Sequence, residues 1–128
     1  MKKFNKIMII EDDPHMRHLA EIICRTIDVA DDIDTSHDAM DAINKISLSG
    51  CPDLIFLDLS MPYMNGFDFL DFLQNNVKEG SKTKVVIITC SDNQEDIEKA
   101  KHYNNVYHYM IKPLTIEKAK KITDQLLN

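Results

Sequence analysis

The chain has 128 residues, of which 44% are hydrophobic and 28% charged, the balance of one globular domain able to bury a core of its own. Its formal charge is −6, with 15 Lys and Arg scattered among 21 Asp and Glu, so it lacks the basic footprint that nucleic acid or an anionic membrane surface requires. The densest lysine groups, Lys2, Lys3 and Lys6 at the start and Lys118, Lys120 and Lys121 near the end, read as solvated faces.

In chain order, "KIMII" (Lys6 to Ile10) is a short apolar strand. Pro14 then opens a helix with Leu19, Ile22, Ile23 and Ile27 on one face. "DVADDIDTSH" is the weakest element, a poor strand because of its charges. Asp38 is the expected N-cap of a second helix, whose stripe of Ala39, Ala42, Ile43 and Ile46 ends near Gly50. "DLIFLD" is the third strand, followed by a turn and the helix "FDFLDFLQNN". "KVVIIT" (Lys84 to Thr89) is the fourth strand, with "QEDIEKAKHY" as its helix. "YHYMI" is the fifth strand, and "TIEKAKKITDQLL" closes the chain with Ile116, Ala119, Ile122 and Leu126 on its buried face.

Five strand–helix units result. The first, third and fourth strands are apolar without alternation, which indicates burial on both faces in a parallel sheet between helices. Such sheets bind ligands beyond the carboxyl ends of their strands. Those ends carry "EDD" (Glu11 to Asp13), Asp58, Thr89 and Lys112-Pro113. Three or four carboxylates brought together repel one another and raise each other's pKa unless a cation joins them. Mg²⁺ suits a few hard oxygen ligands plus water. An ionised Asp58 beside Mg²⁺ and Lys112 is placed to act as a nucleophile toward a phosphoryl group, a reaction that asks mainly for positioning and charge stabilisation.

Each signal has a plainer explanation. "EDD" before a proline could be acids favouring a helix N-terminus. Asp58 could cap the turn "MPYMNG", and Thr89 or Lys-Pro alone says little. Four such groups, each at the end of its own strand, make the shared site the better explanation. The three cysteines (Cys24, Cys51, Cys90) lack CxxC spacing and read as reduced thiols. The five histidines show no metal-ligand spacing with them. No run is long and apolar enough for a membrane span, and no signal-peptide core stands at the start, so a cytoplasmic protein is expected.

These segments resemble the receiver domain of two-component response regulators, of the single-domain chemotaxis-regulator type, over essentially the whole chain. "EDDPHMR" matches the family's acidic pair at Glu11 and Asp12, with Asp13 outside it. "FLDLSMPYMNG" looks like the phosphoacceptor segment, with Asp58 the nucleophile, Ser60 offering a backbone carbonyl to the metal, and Pro62 and Gly66 in the turn. "VVIITCS" puts the switch hydroxyl at Thr89, although Ser91 could supply it instead. "YMIKP" gives the switch aromatic Tyr109 and the lysine Lys112, with a cis Lys112–Pro113 bond. Asn105-Val106 and Ala39 depart from the family pattern without touching the chemistry.

The resemblance implies a flavodoxin-like α/β fold, a doubly wound five-stranded parallel sheet, (βα)5, in the order 2-1-3-4-5. It also implies one receiver domain over residues 1–128 with no output domain. The implied function is a switch: a histidine kinase or histidine phosphotransfer protein donates a phosphoryl group to Asp58. Mg²⁺ is held by Asp12, Asp58 and the Ser60 carbonyl, with Glu11 acting through water. Thr89 and Lys112 bind phosphoryl oxygens, and Tyr109 turns inward, altering the surface of the fourth helix, fifth strand and fifth helix for a downstream protein target. The short side chains of Ser60 and Ser91 should leave water free access to the phosphoryl group. A phosphorelay intermediate or phosphate sink is an alternative within the family. A phosphatase forming an aspartyl-phosphate is the alternative of another class, weakened by Ser60 standing where a second acid would be wanted. Beyond its own phosphorylation and dephosphorylation the protein is not expected to be an enzyme.

Overall fold

The computed structural model describes residues 2–128. Among them strands and helices alternate as β1 (Phe4–Ile10), α1 (Pro14–Ile27), β2 (Ala30–Ser36), α2 (Ala39–Ser49), β3 (Leu54–Leu57), α3 (Gly66–Asn76), β4 (Lys84–Thr89), α4 (Gln94–Ala100), β5 (Val106–Ile111) and α5 (Ile116–Leu127), with a 3-10 turn at Gly80–Lys82 before β4. The strands form one sheet in the order β2-β1-β3-β4-β5, every pair parallel. This is the flavodoxin-like order expected of the sequence.

The uninterrupted apolar strands are explained by a sheet covered on both sides. In β1, Met8 and Ile10 face one helical layer while Ile7 and Ile9 face the other; Ile55 and Leu57 alternate with Leu54 and Phe56 in β3, and Val85 and Ile87 with Val86 and Ile88 in β4. The first set packs against Ala42, Ile43 and Ile46 of α2 and Leu70 and Leu73 of α3. The second packs against Ala20, Ile23 and Cys24 of α1 and Ala119, Ile122 and Leu126 of α5. Each fully buried aliphatic side chain stabilises the fold by about 1.5–3 kcal/mol.

The segment read as a poor strand forms a full one. β2 pairs with β1 from Phe4↔Ala30 to Ile10↔Ser36. It lies at the sheet edge, so Asp31 and Asp32 remain exposed while Ile33 and Ser36 turn inward. Charge on an edge strand is tolerated and discourages pairing with other chains. The fourth helix, read as running to Tyr103, ends at Ala100. Tyr103 leaves the helix because its ring stacks on Phe67 at 6.0 Å and its hydroxyl donates to Asp71 Oδ1 at 2.7 Å.

The helix starts follow local side-chain chemistry. Asp13, Asp38, Asn65, Asn93 and Thr115 each accept a backbone N–H in the first turn of the helix that follows, satisfying donors the helix itself leaves free. Asp38 is the cap expected for α2. Asn65 and Asp68 form a reciprocal capping box that fixes where α3 begins. No helix among the described residues is long and apolar enough to cross a membrane.

Candidate functional site

The strand order reverses between β1 and β3: β2 lies on one side of β1, and β3, β4 and β5 lie on the other. Connections leaving β1 and β3 therefore diverge, opening a crevice at their carboxyl ends. Glu11, directly after β1, is held by its N–H donating to Ser36 O at 3.0 Å. Asp58, directly after β3, donates its N–H to Ile10 O at 3.0 Å. The parallel ladder thus carries both acids one residue past the last apolar strand position. That is why an acid can follow "LIFL": its side chain reaches the crevice and not the core.

Glu11, Asp12 and Asp58 each place a carboxylate oxygen within 4.8 Å of the others'. Glu11 and Asp58 are 6% and 3% exposed, whereas Asp12 is open to solvent. Lys112 Nζ reaches Glu11 Oε1 at 2.5 Å and Asp58 Oδ2 at 3.5 Å. Asp58 Oδ1 also accepts the Ser60 N–H at 3.3 Å. Burial, and then the neighbouring Glu11 carboxylate, push the Asp58 pKa up to about 7 against the opposing pull of Lys112. Burial also works against the Lys112 ammonium, but its hydrogen bond to Glu11 and the charges of Asp58 and Glu11 prevail and hold its pKa above the ordinary lysine value.

One ammonium therefore faces three carboxylates, and the cluster carries more negative charge than its own lysine balances. The donor set suits a hard divalent cation: carboxylate oxygens without thiol or imidazole, two of them rigidly buried and the third facing water. The third acid of "EDD" stands apart. Asp13 accepts from the N–H groups of His15 and Met16 at 2.9 and 3.3 Å, and these bonds hold its pKa below the usual carboxylate range. Its own N–H donates to Glu11 Oε2 at 3.1 Å. Both readings of "EDD" thus hold, one per residue: Asp13 caps α1, while Glu11 and Asp12 face the crevice.

The remaining expected residues lie on β4 and β5 and just beyond them. Thr89 is fully buried at the end of β4, its Oγ1 accepting the Ser91 N–H at 3.2 Å. The Ser91 hydroxyl is turned to Asp96 Oδ2 at 2.7 Å, so the second candidate hydroxyl is engaged with α4. The half-buried Tyr109 on β5 donates its hydroxyl to Ser91 O at 2.8 Å. The Lys112–Pro113 peptide is cis.

One feature escaped the sequence reading. Arg17 Nη1 donates to the carbonyls of Glu11 and Asp12 at 2.9 and 3.4 Å, fixing the backbone of the acidic pair from the first turn of α1. Gly66 lets the loop close on itself: a Cβ there would stand 2.8 Å from Asp58 O and 2.9 Å from Leu59 Cα, and its N–H donates to Leu59 O at 2.9 Å.

A family model described as the response regulator receiver domain matches residues 7–124. Among curated proteins, the chain is 27% identical to the probable C4-dicarboxylate response regulator DctR of Priestia megaterium, over 97% of this chain and 52% of that one. It is 30% identical to protein PilG of Pseudomonas aeruginosa, over 88% of this chain and 79% of that one. The chain thus spans about half the length of the first of these relatives, and 26% of another's. Among solved structures, a two component response regulator from Cytophaga hutchinsonii superposes with a TM-score of 0.88 at 26% identity, over 99% of both chains.

Proposed function

The chain belongs to the response regulator receiver domain family of two-component signalling, and on that premise we propose that Asp58 accepts a phosphoryl group from a phosphohistidine on a histidine kinase or histidine phosphotransfer protein. The observation that carries this reading is the buried Asp58 carboxylate, 3.5 Å from Lys112 Nζ and clustered with Glu11 and Asp12. Burial strips the Asp58 oxygens of water, which favours their use on phosphorus over their solvation.

In the transfer, an Asp58 oxygen attacks phosphorus as the P–N bond of the donor breaks. The electron pair leaves on the imidazole nitrogen, which takes a proton from solvent. Asp12, Asp58 and the Ser60 carbonyl would hold Mg²⁺, with Glu11 reaching it through water; when bound, the ion neutralises charge on the acids and on the phosphoryl oxygens. Lys112, already shared between Glu11 and Asp58, holds a phosphoryl oxygen as a point charge. Thr89 accepts a hydrogen bond from Ser91, so its own proton is free to donate to another oxygen. Receiver domains are signalling switches, and here the output runs through Thr89 and Tyr109 to the surface of α4, β5 and α5, read by a downstream protein.

The test is incubation of the chain with acetyl phosphate and Mg²⁺, followed by intact-mass measurement. One added phosphoryl group is expected, absent after chelation of the metal and absent from Asp58→Asn. Equal labelling of the Asn variant, or none of the wild type, would overturn the assignment.

A further inference from the structure

Tyr63, in the loop between β3 and α3, is a large side chain that buries nothing. It is fully exposed, and its backbone lies in the left-handed region at φ 70°, where a bulky side chain is rarely found. The Met64 N–H donates to Pro62 O at 2.8 Å across it, so Tyr63 is the centre of a γ-turn with positive φ, the rarer and strained form. The loop around it is pinned. Leu59, Met61 and Phe67 are buried in one core cluster and Met64 packs against it, while the Gly66 N–H closes the loop on Leu59 O. The fold gains nothing from the ring, yet holds its backbone in a fixed place five residues after Asp58. Strain kept where no packing offsets it points to function. We infer that Tyr63 is a specificity-determining anchor for the protein that delivers the phosphoryl group, its ring seated in an apolar depression beside the donor's phosphohistidine.

The inference rests on the phosphoacceptor reading of Asp58 and names how its donor is recognised. Asp58 is 3% exposed, so a protein donor reaches it only by inserting a side chain into the crevice and laying the surrounding surface on the loops that border it. The loop from Asp58 to Gly66 is one of these, since its far end returns against the Asp58 carbonyl. Among its outward residues, Ser60, Pro62, Tyr63 and Asn65, only Tyr63 offers the large, rigid area with a polar tip that concentrates binding energy at interfaces. Its backbone is already fixed, so docking orders little more than two side-chain torsions. Acetyl phosphate, by contrast, enters the crevice without covering the loop and makes no use of the ring.

The test follows phosphorylation of the whole chain in Mg²⁺ from two kinds of donor. One is acetyl phosphate; the other is the set of purified histidine kinases and histidine phosphotransfer proteins of the source organism, phosphorylated and tried in turn, with the fastest retained. Tyr63→Asn puts a residue that tolerates left-handed backbone at the turn, so its Tm is expected to hold or rise. Its rate with acetyl phosphate should stay within about twofold of wild type, as for a surface substitution. Its kcat/KM from the protein donor should fall roughly tenfold or more, the scale of an interface anchor, chiefly through KM. Tyr63→Phe keeps the ring and should recover most of the loss. Unchanged transfer from the protein donor in Tyr63→Asn would overturn the inference, as would an equal loss from both donors, which would make the loop part of the site itself. A wild-type dimer dissolved by Tyr63→Asn would assign the ring to a second copy and overturn it too, and so would labelling by acetyl phosphate but by no protein donor. Failure of acetyl phosphate to label the wild type would instead overturn the Asp58 reading, which separates the two failures.

Discussion

Asp58 is the residue whose surroundings oppose its ordinary state most clearly. It is nearly fully buried, faces Glu11, and has Lys112 at 3.5 Å as its cationic partner. A carboxylate whose folded pKa is raised adds stability below its unfolded value of 3.8, and that contribution is lost as pH climbs through about 7. Asp58→Asn removes the charge and keeps the shape. In chelator, it is expected to be more stable than the wild type by roughly 2 kcal/mol at pH 8. The gap should close as pH falls from about 7 toward 4. Denaturant melts of both proteins across that range check it; equal stability at pH 8 would mean Lys112 fully compensates the buried charge. The same scale explains what could be read early. Asp58, Glu11 and Lys112 were legible because each breaks the character of its own strand end. Arg17 was not, since an arginine on an amphipathic helix gives no sign that it reaches back to two carbonyls.

At the scale of elements, the segment from Asp58 to Gly66 converts a buried strand into a site. β3 delivers Asp58, the chain turns through Tyr63 in the left-handed region (φ 70°), and the Asn65–Asp68 capping box starts α3. Gly66 holds this loop closed because a side chain there would meet the Asp58 carbonyl and the Leu59 backbone. Backbone atoms cannot yield as a flexible side chain can. Gly66→Ala should therefore cost about 1–3 kcal/mol of stability and slow Asp58 phosphorylation by acetyl phosphate, because the displaced atoms belong to the loop carrying the nucleophile. Thermal melts and mass-monitored phosphorylation of this variant check both halves. Element type was legible wherever apolar spacing was strong, as in α1, α5 and the central strands. It was understated in β2, whose pairing depends on β1, and overstated at the end of α4. There Tyr103 is taken by a tertiary contact with Phe67 and Asp71, which helical periodicity does not register.

Taken whole, the molecule is a charge cluster set at the reversal point of a sheet whose faces are both sealed by helices. The two acids that lie farthest apart in the chain, Glu11 and Asp58, are neighbours only because β1 and β3 are hydrogen-bonded partners. A divalent ion held by Asp12 and Asp58 would link the same two segments across the sheet, so it should stabilise the entire fold. At Mg²⁺ tenfold above its dissociation constant the gain is about 1.4 kcal/mol. A concentration-dependent rise in Tm is expected for the wild type, with little or none for Asp12→Asn; calorimetry with and without the ion checks it.

By itself the sequence determined the class of fold and the inventory of chemical groups at the strand ends. Apolar runs and helical stripes are local consequences of burial and backbone geometry, and an acid after "LIFL" is conspicuous wherever it sits. Only the tertiary structure decided which acid caps a helix and which faces the crevice, that Lys112 lies between Glu11 and Asp58, and that Ser91 ties three elements together. Those are matters of a few ångströms between segments distant in the chain, set by sheet register and side-chain direction, and no local pattern encodes them.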